Sequence, residues 1–267
     1  MEELREKLQT AWVAKQIYSY EEIDSTNVEA ARLAKSGSFG KQWTHGTLIT
    51  ADAQTAGRGR RGRIWESPRG NNLFFSLLLK PAIEPDKASM LTLVMALSVV
   101  KGIEEVTKHS CAIKWPNDIV MSGKKVCGIL TEMELEQGEI HHVVIGTGIN
   151  VNMTEFPKEI SEIASSIACE CGKKISHTKL LAVILEHFEK NYETFMATEN
   201  LSGFFDDYEK HLINKNKQVK VLDPKGPFEG LAEGITVTGE LLVQKADGTT
   251  EAVYAGEVSV RGLYGYV

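Results

Sequence analysis

Seven consecutive residues in the first quarter of the chain, Gly57-Arg58-Gly59-Arg60-Arg61-Gly62-Arg63, cannot belong to a hydrophobic core. The segment holds four arginines and no apolar side chain, and its three glycines leave the backbone without a preferred conformation. Repulsion between neighbouring guanidinium groups also disfavours a compact arrangement until anions neutralise them. The segment must therefore be a loop on a scaffold that other residues build, and we expect anions to order it.

The residues around this loop carry both strand and helix patterns. Apolar strand patterns span residues 17–20, 46–51, 73–79, 112–115, 125–134 and 140–151. Helical patterns span residues 86–107, 178–196 and 202–211, and a shorter one occupies the first 16 residues. A further helix is predicted to begin at Thr26, where Thr26 and Glu29 match a capping box, and to end at Gly37.

From about Lys215 the sequence changes to short strands separated by turn-forming pairs. These pairs are Asp223-Pro224, Gly239-Glu240 and Asp247-Gly248. Such spacing is typical of a small β-barrel. We therefore predict two domains, residues 1–214 and residues 215–267, with a boundary near Asn214.

Composition limits the class of protein. Apolar residues make up 42% of the chain and charged residues 25%, which is typical of folded globular proteins. The net charge of −6 does not attract nucleic acid or anionic membranes, so any anion site must be built locally. The longest apolar stretch, residues 91–100, is too short to cross a bilayer. The four cysteines, at 111, 127, 169 and 171, form no disulfide pattern, so a cytoplasmic location is expected.

The spacing of Gly57, Gly59 and Gly62 matches the G-x-G-x-x-G pattern of dinucleotide-binding proteins. That pattern requires a helix to open directly from the glycines, whereas Ile64-Trp65-Glu66-Ser67-Pro68 follows here, so a Rossmann site is excluded. Basic glycine-arginine runs also bind RNA without sequence preference. Taken alone, the loop leaves a nucleic-acid-binding protein open as an alternative.

Three more polar positions follow or begin predicted strands. Asn117 and Asp118 follow Pro116, which places an amide and a carboxylate at the rim of a sheet, where α/β proteins hold ligands. Asp118 is a candidate Mg²⁺ ligand, and Asn117 can bind a phosphate or ribose oxygen. Lys125 begins an apolar strand beside Gly128, which leaves room for a ligand. Each feature alone also matches an ordinary turn or a lysine that faces water.

Taken together and in this order, five segments resemble the biotin protein ligase family. They span residues 24–27, 54–63, 114–118, 125–129 and 146–150, and residues 256–261 resemble the family's C-terminal segment. The resemblance covers about half of the chain. It implies an α+β fold, in which a mixed β-sheet flanked by helices, of the class II synthetase type, is followed by a small SH3-like β-barrel.

The resemblance also implies an activity and its residues. Such enzymes use ATP with Mg²⁺ to convert biotin to biotinoyl-5′-AMP, and then transfer biotin to a lysine of a biotin carboxyl carrier protein. The biotin-binding positions are Ser25, Thr26, Asn27, Gln54, Arg58, Gly59, Arg60 and Lys125. The ATP-binding positions are Arg60, Arg63, Trp65, Asn117, Asp118, Asn150 and Arg261. Arg60, Lys125 and Asp118 are the candidate catalytic residues, and the metal ligands are left unassigned.

Two further expectations concern partners. Some family members carry an N-terminal helix-turn-helix domain, but only some twenty residues precede Ser25, so specific DNA binding is not expected. The resemblance is compatible with a homodimer. A lipoate or octanoyl ligase is a nearer alternative on a related scaffold, and the dense glycine-arginine loop argues against it.

Overall fold

In the computed structural model, which describes residues 2–36, 39–66, 68–223, 226–255, 259–262 and 266, the strands form two sheets. The first sheet contains β1 (Ile17–Ile23), β2 (Thr47–Gln54), β3 (Leu73–Leu79), β4 (Ala112–Lys114), β5 (Asp118–Met121), β6 (Lys124–Glu136) and β7 (Glu139–Ile149). The second contains β8 (Lys217–Leu222), β9 (Phe228–Ile235), β10 (Leu241–Gln244), β11 (Thr250–Val253) and β12 (Ser259–Gly262).

Six α-helices accompany these strands in the described ranges. They are α1 (Glu2–Lys7), α2 (Thr26–Ser36), α3 (Leu91–Thr107), α4 (Ile167–Cys171), α5 (His177–Thr198) and α6 (Phe205–His211). Short 3₁₀ helices span Arg60–Gly62, Pro85–Met90 and Ser202–Phe204. None of the described helices is both long enough and apolar enough to cross a membrane.

The first sheet is mixed and is covered by helices on both faces. Its strand order is β1-β2-β3-β7-β6-β5-β4, in which β1 pairs with β2 in parallel and the other pairs are antiparallel. The apolar side chains of α3 and α5 pack on one face, and Ala30 and Ala34 of α2 pack on the other. Because both faces are buried, β3 is apolar at nearly every position rather than alternating. The predicted mixed sheet flanked by helices is confirmed.

The strand bounds differ from the predictions where polar residues occupy the strands. The predicted strand 73–79 is β3, whereas β1 and β2 each continue three residues past their predicted ends. β1 forms an edge of the sheet, where Glu21 and Glu22 remain exposed to solvent. Polar side chains at such an edge stay in contact with water, so they are not unfavourable there. The change to polar residues after Tyr20 therefore did not indicate the end of β1. The first helix is also shorter than predicted and ends at Lys7.

The second sheet follows the first in sequence and packs against it. Its five antiparallel strands lie in the order β11-β10-β9-β8-β12. The indole Nε1 of Trp115, in the first sheet's β4–β5 connection, donates a hydrogen bond to the carbonyl of Gly239 at 3.0 Å. The backbone N–H of Trp115 donates to Asn214 Oδ1 at 2.8 Å. The first bond fixes the second sheet beside β4 and β5, and the second holds the segment that leads into β8. Gly37, Pro224 and residues 256–258 of the predicted features lie outside the described residues.

Candidate functional site

Two adjoining pockets contain every predicted site residue. The larger of the two has a volume of about 380 Å³. Both are lined by Gly59, Arg60, Trp65, Asn117 and Lys125, which therefore form their junction. The smaller is also lined by Ser25, Thr26, Asn27, Gln54 and Arg58. The larger is also lined by Arg63, Asp118, Asn150 and Arg261.

Three side chains that line the smaller pocket, those of Thr26, Asn27 and Gln54, belong to a polar network. The Ser76 hydroxyl lies 2.8 Å from the Thr26 hydroxyl and 2.7 Å from Asn27 Oδ1. Asn27 Nδ2 donates to Glu132 Oε2 at 2.7 Å, and the Thr26 backbone N–H donates to Gln54 Oε1 at 2.8 Å. Because each group holds the next one, donors and acceptors are fixed in direction before a ligand arrives. Ser76 was not predicted, although it is the one polar residue in the apolar run 73–79.

The predicted capping box at the start of α2 is wrong. The Thr26 hydroxyl donates to Gln54 Oε1 at 3.2 Å, and the Glu29 carboxylate accepts from the Tyr20 hydroxyl at 2.9 Å and from Arg32. The backbone N–H of Glu29 bonds to the carbonyl of Ser25. Tertiary partners have therefore replaced the local cap, and the Thr26 side chain is directed to the pocket.

Glycines of β6 and β7 make room in the smaller pocket. A methyl group added at Gly146 would overlap the amide of Asn27, and one added at Gly148 would lie 2.6 Å from Trp65 Nε1. At Gly128 it would lie 2.7 Å from the Trp65 ring and 3.1 Å from Lys125 Nζ. Trp65 and Lys125 occupy the space beside Gly128, so the room for a ligand there stays a prediction.

The larger pocket concentrates positive charge in an acidic chain. Its lining includes six cationic side chains, from Arg60, Arg61, Arg63, Lys114, Lys125 and Arg261. Only two acidic side chains of the described residues, Glu66 and Asp118, line it. Apolar side chains form another part of the wall, from Ile64, Trp65, Met153, Phe156, Ile160 and Ile163. This lining suits a ligand that combines several negative charges with a flat apolar group.

The glycine-arginine loop folds as a small hairpin over the junction. The Gly59 N–H donates to the Arg63 carbonyl at 2.8 Å, and the Trp65 N–H donates to the Gly57 carbonyl at 2.9 Å. Arg60 donates from Nη1 to Asn117 Oδ1 at 3.0 Å and from Nη2 to the Ala255 carbonyl at 2.5 Å. Arg60 thus connects the loop to both sheets. That anions order this loop stays a prediction.

Asp118 lies at the centre of the charged groups. Its Oδ1 is 2.5 Å from Lys125 Nζ, and its Oδ2 accepts from the Tyr266 hydroxyl at 2.5 Å. Lys114 is its register partner across the β4–β5 hairpin. Burial acts to raise the pKa of Asp118, but Lys125 and Lys114 outweigh burial and lower it. Burial lowers the pKa of Lys114 to about 8. The carboxylate therefore stays ionised among the cations.

The acidic side chains decide whether the site suits a resident metal ion. Among the described residues, only Glu66 and Asp118 line the larger pocket with a carboxylate, and Asp118 is paired with Lys125. Elsewhere in the described ranges, no group of three or more His, Cys, Asp or Glu side chains is arranged to hold a metal ion. The residues present do not fit a resident Mg²⁺, which needs several oxygen ligands. An ion would have to arrive with a ligand that brings most of those oxygens.

Comparisons with known proteins point to one family. A model described as the biotin/lipoate A/B protein ligase family matches residues 20–150, and one described as the biotin protein ligase C-terminal domain matches residues 216–261. The bifunctional ligase/repressor BirA of Bacillus subtilis is 37% identical over 260 residues, covering 97% of this chain and 78% of that protein. The biotin–[acetyl-CoA-carboxylase] ligase of Paracoccus denitrificans is 29% identical, and the match covers 90% of this chain and 98% of that protein.

A solved structure gives the same result. The biotin protein ligase from Aquifex aeolicus, in complex with biotin and ATP, superposes with a TM-score of 0.78 at 32% identity. The match covers 93% of this chain and 99% of that one, so it includes both sheets. On the identity to BirA over most of both lengths, and on this shared fold, the chain belongs to the biotin protein ligase family.

Proposed function

We propose that this chain is a biotin protein ligase, which converts biotin and ATP to biotinoyl-5′-AMP and then transfers biotin to a lysine of a biotin carboxyl carrier protein. The observation that carries the proposal is the junction at Lys125, where a polar pocket meets a larger cationic one. Biotin would occupy the smaller pocket with its carboxylate at Lys125. ATP would occupy the larger, with its phosphates near the arginines and its base at the apolar wall.

The first step joins two anions. A carboxylate oxygen of biotin attacks the α-phosphorus of ATP, the bond from that phosphorus to the β-phosphate oxygen breaks, and pyrophosphate leaves. The repulsion between the reactants has to be cancelled, and fixed cations do this best in a site that excludes water. Arg60, Arg63 and Lys125 all line the larger pocket and are proposed for this role. No protein nucleophile is required.

The second step transfers the acyl group. The carrier lysine amine attacks the acyl carbon, the bond from that carbon to the phosphate oxygen breaks, AMP leaves and the amine loses a proton. The acyl-adenylate is a mixed anhydride that water hydrolyses, so the site must cover it. Arg60 holds the loop to Asn117 and to Ala255, and this double attachment supports a sealing role for the loop.

We propose that Mg²⁺ enters as part of the nucleotide substrate, bound by its phosphate oxygens, because the described side chains include no group of three or more possible metal ligands. Such an ion supplies charge neutralisation at the phosphates. We also propose that Asp118 contributes to catalysis by positioning Lys125, with which it is paired.

The polar end of the smaller pocket favours biotin over lipoate. The ureido ring of biotin presents one carbonyl acceptor and two N–H donors, whereas the dithiolane ring of lipoate presents neither. The ureido ring can form hydrogen bonds with the polar side chains of Ser25, Thr26 and Asn27, which line the smaller pocket, whereas the dithiolane ring gains no such bonds there. We therefore propose biotin as the acyl donor.

Proposals about assembly follow from the same fold. We propose the division into domains 1–214 and 215–267, since β8 is the first strand of the second sheet. A homodimer through the free edge of β6 is a further proposal: within the described strands, β5 pairs with β6 only as far as Gly128. Farther along β6, Met133 and Leu135 are 40% and 48% exposed.

Calorimetry combined with a pyrophosphate assay tests the proposal. We expect the purified protein to bind biotin, and to release pyrophosphate from Mg-ATP only when biotin is present. Lipoate replaces biotin as the matched control and should give no release. Binding to RNA that falls steeply with salt and does not respond to biotin would instead support the nucleic-acid alternative. Absence of biotin-dependent pyrophosphate release would overturn the assignment.

A further inference from the structure

Tyr266 lies inside the larger pocket, although no motif of the sequence includes it. Its hydroxyl donates to Asp118 Oδ2 at 2.5 Å, and its ring lies 4.0 Å from Lys114 Nζ and 5.7 Å from the guanidinium carbon of Arg261. It is part of the pocket wall. An aromatic ring from outside the first sheet therefore covers the cations at this end of the pocket.

Lys114 is the cation that this ring covers most closely. Lys114 is only 4% exposed, and among the described residues its ammonium group has the Tyr266 ring and the nearby Asp118 as its compensating groups. A buried ammonium with so few partners is costly to the protein. A ring face compensates such a charge less than a charge-assisted hydrogen bond to phosphate does. Phosphate oxygens would thus replace the ring at a net gain.

Building on the proposed function, we propose that Tyr266 is a cover which the phosphates of ATP displace, and that its displacement opens Lys114 as a phosphate ligand. The ring and a phosphate group cannot occupy the same face of the Lys114 ammonium. Nucleotide binding therefore has to break the Tyr266–Asp118 hydrogen bond as well. The intact cover weakens nucleotide affinity by the free energy of these two contacts.

Calorimetric titration with an ATP analogue whose α and β phosphorus atoms are joined by methylene, in the presence of Mg²⁺, tests this. Tyr266→Ala should lower the Kd of the analogue about threefold to tenfold, because the phosphates no longer have to displace the ring and its hydrogen bond. Adenosine, which carries no phosphate, should bind the variant and the wild type equally. Tyr254→Ala is the matched control, because Tyr254 is 69% exposed and lines neither pocket.

A double-mutant cycle assigns the effect to Lys114. Lys114→Met should raise the Kd of the analogue about tenfold, and adding Tyr266→Ala to it should give no further tightening. Tyr266→Phe keeps the ring and loses only the hydrogen bond, so about a twofold tightening is expected even if the alanine variant fails to fold. Biotin Kd and melting temperature report on folding in each variant.

The outcomes are separable. An unchanged or raised Kd of the analogue in folded Tyr266→Ala overturns the proposal that phosphates displace Tyr266. The ring then either does not face the phosphates or stays in place when the nucleotide is bound. A tightening that persists in the Lys114→Met background overturns the role of Lys114. If the wild-type protein binds neither the analogue nor biotin, the proposed function itself fails.

Discussion

Lys125 Nζ lies 2.5 Å from Asp118 Oδ1, at the point where the polar and the cationic pockets meet. The pair is largely shielded from water, since the Asp118 side chain is 14% exposed and that of Lys125 is 25% exposed. The Trp65 ring lies on another side of the ammonium, with its centre 5.1 Å from Nζ. The position of Lys125 is thus set by two neighbours before any ligand binds, and a ligand carboxylate would compete with Asp118 for it.

The first prediction concerns this lysine. Lys125→Met keeps the length of the side chain and removes its charge, so the reacting carboxylate loses its nearest cation. The rate of biotin-dependent pyrophosphate release should fall about 100-fold or more, as is typical when one preorganised donor is removed. Lys124→Met is the control, because Lys124 bonds to the Ser161 carbonyl and lines neither pocket. A rate within threefold of wild type in Lys125→Met would contradict the proposed role.

The second prediction concerns the glycine-arginine loop, which is proposed to cover the acyl-adenylate. Arg60→Gly removes the hydrogen bonds to Asn117 and Ala255, which attach the loop to both sheets. Biotinoyl-5′-AMP should still form but should leave the site, so that free adenylate accumulates and then hydrolyses. Filtration of a reaction without carrier protein measures the retained fraction. Arg69→Gly, which loses only exposed ion pairs to Glu21 and Glu22, should retain the intermediate as wild type does.

The sequence predicted the parts of the site that depend on local pattern. The run 73–79 is apolar enough to identify a buried strand, and the charge density of residues 57–63 identifies a loop without further information. The position of Asn117 and Asp118 after a predicted strand also indicated the rim of a sheet. Among the strands of the site, β5 was not predicted, because it has only four residues, beginning at Asp118, which are too few to show a period.

The parts that were missed depend on long-range pairing. Tyr266 and Asp118 are 148 positions apart, and nothing local to either residue indicates the contact. Lys114 has the pattern of an ordinary strand lysine, and its burial follows from the hairpin register that pairs it with Asp118. The capping box at Thr26 failed for the same reason, since the Thr26 hydroxyl donates to Gln54 and accepts from Ser76 instead of capping the helix. Tertiary contacts override local preference at such positions.

The third prediction concerns the polar network at Asn27 in the smaller pocket. In Gly146→Ala the new methyl group overlaps the Asn27 amide, which must move away from Ser76 and Glu132. Biotin affinity should fall at least tenfold, while the Kd of the ATP analogue stays within twofold. Gly203→Ala is a matched control, because its methyl group meets Thr194 but lies outside both pockets. Equal losses of biotin affinity in the two variants would indicate general destabilisation instead.

The last prediction concerns pH. Burial lowers the pKa of Lys114 from 10.5 to about 8, so the ammonium is charged below that pH and neutral above it. If the charged form binds phosphate, kcat/KM for ATP falls as pH rises through about 8, because this ratio reports groups of the free enzyme. Burial also raises the pKa of Tyr266 and keeps its hydroxyl neutral in this range. Pyrophosphate release measured from pH 6.5 to about 9.5 should show the decline in wild type and a flatter profile in Lys114→Met. A decline of the same size in both proteins would assign the titration to another group and remove Lys114 from the nucleotide site.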